Sequence, residues 1–279
     1  MKSTSKKKYL LLGVVVLSLF VLSGCRVMDK EGNFLEIKPG GLRWDTFVYP
    51  IAWFVDRLTK WTNSYALGII LITLIIRTVL FPVYTKSNET TMKMQEIQPE
   101  IQKIQQKYMN RTDPESKSKM NMELMQLYQK HNINLFAGCL MPILQMPIFF
   151  AMYHAVARTP ATFEGYADEI MKFLWTRLDA IAMTGGLNSL FNEPLLLILP
   201  VLVLATTIFQ QWLSTIGMSK EARDANPSLK IMMYFIPVML FSFALTSVQA
   251  LSLYFLMGNI ISIVQYIVVK KPFKKKELR

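Results

Sequence analysis

Aspartate and glutamate are missing from every long apolar stretch of this chain, although 19 of them occur among its 279 residues. A proton- or sodium-coupled transporter usually needs intramembrane carboxylates, so that class is left without its ligands. Histidine is equally scarce: His131 and His154 are the only two, too few for a histidine-built metal centre. Two cysteines, Cys25 and Cys139, cannot build the disulfide framework of a small secreted domain. The sequence also has no HExxH, no nucleophile elbow and no phosphate-binding glycine loop. Enzyme chemistry therefore finds little support, and no cofactor or small-molecule substrate is expected.

What the chain does have is apolar length. Hydrophobic residues make up 52% of it. They come in blocks of about twenty, the number a helix rising ~1.5 Å per residue needs to cross a hydrocarbon core of ~30 Å. The fold class read from this is an all-α integral membrane protein with five transmembrane helices, at 64–84, 134–157, 194–216, 231–246 and 250–269. The formal charge of +12 would suggest nucleic acid in another setting, but the basic residues gather beside the apolar blocks. They are better explained by membrane lipids and orientation, and no nucleic-acid partner is expected.

The first residues read as a targeting segment. Lys2, Lys6, Lys7 and Lys8 precede an apolar run from Tyr9 to Leu22, and Leu22-Ser23-Gly24-Cys25 resembles a bacterial lipobox. On this reading 1–24 is removed and Cys25 is acylated; an uncleaved signal anchor is the alternative. The outer segment 25–63 carries Phe47, Ile51, Phe54, Val55 and Leu58 at helical spacing, with Trp44, Trp53 and Trp61 suited to a headgroup layer. It is read as an interfacial amphipathic helix, with packing on the protein itself as the competing or additional role.

Residues 85–133 hold two helical patterns, Met94, Ile97, Ile101, Ile104, Tyr108 and Met120, Leu124, Leu127, Tyr128. Between them Asp113 and Pro114 are placed to cap and start a helix. These features predict a helical hairpin outside the membrane. Its six methionines suit partners of variable sequence or simply fill gaps between the two helices. A polar outer loop spans 158–193, a short loop 217–230, and a basic tail 270–279, read as a lipid-side anchor or a ribosome-docking arm. Loops 85–133, 217–230 and 270–279 together hold seventeen Lys and Arg against nine in 26–63 and 157–193, so the first group is cytoplasmic. A lipid anchor at Cys25 must lie on the outer face, which agrees.

One charge remains inside the spans, Arg77. An arginine at a helix centre costs about 2.5–3.5 kcal/mol on insertion scales, so it needs water or polar neighbours. Snorkelling to the cytoplasmic interface is the simpler alternative. Polar residues recur at helical spacing elsewhere: Thr73 and Arg77, with Tyr84 two turns on; Gln145; Thr206, Thr207, Gln210 and Ser214; Ser252, Asn259, Ser262 and Tyr266. If these rows converge, Arg77 stands in a hydrophilic chamber; taken singly, each is as well explained as interhelical glue.

Three stretches together are similar to a known family. They are Ile75-Ile76-Arg77-Thr78-Val79-Leu80-Phe81-Pro82, Leu140-Met141-Pro142-Ile143-Leu144-Gln145-Met146-Pro147-Ile148-Phe149, and Leu251-Ser252-Leu253-Tyr254-Phe255 with Gly258-Asn259. The chain resembles the YidC-type membrane protein insertases, in their five-span Gram-positive lipoprotein form. The resemblance implies an insertase or chaperone of the bacterial plasma membrane, without enzymatic turnover, acting on nascent hydrophobic segments. It leaves open a Sec translocase and the ribosome as partners. It implies a groove open to cytoplasm and lipid, bearing Arg77 with Gln145 and Gln210, and the rows add Thr73, Ser214, Ser252 and Asn259. Phe255 departs from the family's usual tryptophan, which removes an indole donor there. A small-solute channel or a non-inserting assembly factor are the rival readings.

Overall fold

The computed structural model describes residues 28, 33–40, 44–109, 113–133, 135–183, 191–216 and 231–277, which are mostly helical. The signal segment 1–24, Cys25 and the loop 217–230 lie outside the described residues, as do the side chains of Pro142 and of the tail 270–279.

Helix α1, Trp44–Thr62, uses two faces. Val48, Ala52, Val55, Asp56 and Thr59 are buried against the protein, while Phe47, Phe54 and Trp61, seven residues apart, stay exposed. The residues expected to form one apolar face are thus divided: Val55 turns inward, Ile51 and Leu58 pack at the core's edge, and Phe47 and Phe54 point away. Helix α2, Tyr65–Val79, lies tightly on α1. Gly68 permits this, because a Cβ there would collide with Thr59 Oγ1 and come 3.1 Å from the Thr59 amide nitrogen.

The stretch expected as the first span, 64–84, is formed from two helices. Helix α3, Phe81–Glu96, leaves the axis of α2 at 66°, with the break at Leu80 (φ −87°, ψ 2°). Pro82 accounts for it: it has no N–H for the Thr78 carbonyl, and its ring crowds the preceding turn. Helices α4, Gln98–Tyr108, and α5, Pro114–Lys130, then run in opposite directions. Glu123 takes Lys107 and Tyr108, while Glu100 faces His131. Between these helices lie Ile97, Ile101, Leu127 and Ile133, flanked by Met94, Ile104, Leu124 and Tyr128. Asp113 caps α5 by accepting from the Ser116 amide at 2.7 Å, with Pro114 in the first turn.

Helix α6, Leu135–Thr162, is 28 residues long. After it come a short helix α7, Asp168–Met171, and a two-residue hairpin, β1 Lys172–Phe173 with β2 Thr176–Arg177. Helix α8, Ile198–Thr215, follows a 3-10 turn, Pro194–Leu197, and helix α9, Ile236–Thr246, follows a π turn, Ile231–Phe235. Helix α10, Gln249–Glu277, closes the described chain.

The main core gathers Tyr65, Ile69, Met152, Val156, Leu178, Leu251 and Leu253 from α2, α6, the post-hairpin segment and α10. That segment is laced to the end of α9 and the start of α10. Leu178 and Ala180 carbonyls accept from the Ala250 and Gln249 amides, each at 2.8 Å, and the Met183 amide donates to Leu245. Among the described residues two helical stretches, Pro194–Thr215 and Gln249–Val268, are long and apolar enough to cross a membrane. The bent pair α2–α3 makes a third if it counts as one span, and Met233–Thr246 is a shorter apolar helix.

Candidate functional site

Arg77 occupies the last turn of α2, immediately before the bend. Its Nη1 donates to Ser262 Oγ on α10 at 2.8 Å, and its guanidinium carbon lies 4.6 Å from the centroid of the Tyr84 ring on α3. Two turns of straight helix would separate these two positions by about 10.5 Å along the axis. The bend and two long side chains bring cation and ring together. Tyr84 in turn donates its hydroxyl to Gln145 Oε1 on α6 at 2.9 Å. Gln265 Nε2 donates to the Arg77 main-chain oxygen at 3.4 Å, one of the carbonyls a helix end leaves open. Gly258 faces the guanidinium: a Cβ there would stand 3.1 Å from Nη2.

The result is a relay of side chains across four helices, Gln145 to Tyr84 to Arg77 to Ser262. All of its partners are neutral. Among the described residues no carboxylate lies within 4 Å of Arg77. The guanidinium is half-buried, so its cost is met by a hydroxyl and an aromatic face.

Two other polar groups hold helices together further along. Asn259 Nδ2 on α10 donates to Thr207 Oγ1 at 2.8 Å and Thr206 Oγ1 at 3.0 Å on α8. Gln95 on α3 bridges the same two helices, donating to the Ser214 carbonyl of α8 while accepting from the Tyr266 hydroxyl of α10 at 3.4 Å.

The expected site residues therefore separate into groups. Arg77 and Gln145 share one cluster, linked by Tyr84. Thr73 is buried and gives its hydroxyl to the Ile69 carbonyl of its own helix at 2.6 Å. Ser252 is fully buried, pointing at the Ala244 carbonyl of α9 at 3.4 Å. Asn259 is occupied by the threonines of α8, and Ser214 back-bonds to Gln211. Gln210 is half-buried and, among the described residues, takes none of the hydrogen bonds that join α8 to its neighbours. Sequence spacing did not single out Gly258, Gln265 or Gln95; Gly258 stood within a motif, but the glutamines lacked a row to join.

The same architecture recurs in known proteins. A family model described as 60Kd inner membrane protein matches residues 57–277. A protein of Bacillus anthracis named Membrane protein insertase YidC 2 is 36% identical over 96% of this chain and 95% of its own length. Another, from Oceanobacillus iheyensis and named Membrane protein insertase YidC, is 34% identical over 98% of this chain and all of its own. Among solved structures, "Active YidC insertase crystal structure with the first transmembrane domain resolved" superposes with a TM-score of 0.53 at 26% identity, covering 79% of this chain. This chain spans 45% of that longer protein. With the model matched from α1 to the end of α10 and relatives aligned nearly end to end, the chain belongs to the 60Kd inner membrane protein family.

Proposed function

We propose that this protein is a membrane protein insertase that receives nascent hydrophobic segments through a polar intramembrane groove centred on Arg77. The observation that carries the reading is a half-buried arginine held, among the described residues, by neutral groups, so its charge remains available to an incoming anion. The names of its relatives point the same way. Five spans are the working topology, with Cys25 acylated outside and the helices α4 and α5 in the cytoplasm. The length of α6 and the bent α2–α3 pair support the spans that composition alone leaves short.

A client brings a short polar or acidic outer tail. Carrying one acidic residue to the bilayer centre costs about 2.5–3.5 kcal/mol, and a fixed cation partway across offsets part of that. Arg77 draws the tail inward. The apolar segment then moves sideways into lipid beside α2, α8 and α10, where Val201, Ile208, Phe209 and Trp212 already present an apolar exposed surface. Burial of the client's own apolar surface drives the last step. The lacing of residues 178–183 onto the end of α9 and the start of α10 supports a groove closed on the outer side, which disfavours a channel.

The test is insertion of a single-span client with a short acidic outer tail into vesicles containing the purified protein alone. Arg77→Ala is expected to lower insertion about tenfold, the worth of ~1.4 kcal/mol, and Arg77→Lys to keep part of it. Insertion unaltered by Arg77→Ala overturns the reading.

A further inference from the structure

Arg77 has more neighbours than a bare receptor charge needs. A guanidinium carries five N–H donors in one plane and an unhindered face on each side. Here the guanidinium carbon sits over the Tyr84 ring, 4.6 Å from its centroid, and Nη1 donates to Ser262 at 2.8 Å. The backbone of Gly258 lies where any side chain would press on Nη2. Tyr84 is itself fixed, 8% exposed and bonded through its hydroxyl to Gln145.

We infer that Tyr84 and Gly258 are positioning residues of this insertase, acting through Arg77: the ring holds the cation against it and the glycine leaves room beside Nη2, so that the N–H groups not bonded to Ser262 are presented to a carboxylate. This rests on the reading of Arg77 as the acceptor of acidic clients. Without the ring, the long side chain is free to fold back toward the interface and the presented edge is lost. Added bulk at 258 pushes the guanidinium a few tenths of an ångström from its place beside Ser262. The nearest atoms to a Cβ at 258 are the ends of a flexible arginine, Nη2 at 3.1 Å and Cζ at 3.9 Å, so alanine there is accommodated by displacing the charge. Alanine also favours the helix over glycine.

Selectivity between clients is the quantity that separates positioning from scaffolding. The measurement is the ratio of insertion of an acidic-tailed client to a neutral-tailed one, in vesicles holding the full chain, with thermal unfolding of each variant in detergent alongside. Tyr84→Leu is expected to lower the ratio about three- to tenfold, the worth of one partly desolvated cation–π contact, while Tyr84→Phe keeps most of it. Gly258→Ala lowers the ratio with no loss of thermal stability. In an Arg77→Ala background, Tyr84→Leu changes the ratio no further.

A ratio unmoved by Tyr84→Leu and Gly258→Ala, with Arg77→Ala effective, overturns the positioning roles and leaves the Arg77 reading intact. A further fall on adding Tyr84→Leu to Arg77→Ala also overturns them, since the ring would then act on its own. A ratio unmoved by Arg77→Ala itself overturns both.

Discussion

Arg158 holds the C-terminal end of α6 to the segment before α1 and to Asp45 in the first turn of α1, and its removal is expected to be among the most costly changes in the described fold. The residue is 4% exposed. Its guanidinium donates to both oxygens of Asp45, at 2.7 and 2.9 Å, and to the carbonyls of Leu35 and Glu36, with His154 Nδ1 at 3.2 Å. In Arg158→Met the apolar stem survives, but a carboxylate and two carbonyls lose their donor. Breaking one partner of a buried pair costs about 3–5 kcal/mol. Asp45 keeps 21% of its side-chain exposure and regains some hydration, so we place the cost at about 2–3 kcal/mol. For a chain of this size that lowers the midpoint of thermal unfolding in detergent by about 5 °C or more. Arg158→Lys is expected to recover little, because one ammonium cannot serve four acceptors arranged for a planar fork. Paired with Asp45→Asn, the two changes should be strongly non-additive. Burial opposes ionisation of Asp45, yet the Arg158 hydrogen bonds and the Lys38 amide prevail and hold its carboxyl below the ordinary value. A depressed carboxylate stabilises the fold fully above the unfolded value of about 4, and the contribution fades as pH falls through the folded one. The acid slope of stability should therefore be shallower in Asp45→Asn. A loss under about 1 kcal/mol in Arg158→Met, or simple additivity with Asp45→Asn, would refute the clasp.

Gly68→Ala should destabilise by about 1–3 kcal/mol through the collision with Thr59, and Thr59→Ala in the same chain should restore part of it, read by thermal unfolding. Asn259→Leu removes the donors to Thr206 and Thr207 and is expected to cost about 1–2 kcal/mol, seen as easier separation of α8 from α10 in unfolding by denaturing detergent. Asp113→Ala removes the cap on α5 and should cost about 1 kcal/mol locally, with faster hydrogen exchange at the Ser116 amide.

The paired helices around Ile97, Ile101, Leu124 and Leu127, and the cap at Asp113, were legible because both are local: a 3.6-residue period and a turn signal need no distant partner. Arg77 was legible for a different reason, as a charge among apolar neighbours. Its surroundings were not. Thr73 and Ser252 share helical rows with polar residues, yet a hydroxyl on a helix can bond its own or a neighbouring carbonyl, and spacing cannot tell that use from a groove wall. The face of α1 was half-read for a similar reason: both sides are apolar, and only a neighbour decides which one is buried.

The amino-acid sequence by itself determined where apolar length lies, how Lys and Arg divide among the segments between the apolar blocks, and that Arg77 stands in an apolar stretch that contains no carboxylate. Those are one-dimensional quantities, set by composition and order. Only the tertiary structure decided what Arg77 touches. Pro82 announces a disturbance, but neither its 66° angle nor the ring it brings to the guanidinium is written in any local period. Contacts among Arg77, Tyr84, Gln145, Gly258 and Ser262 depend on four helices meeting at one place, and long-range meeting is what packing settles.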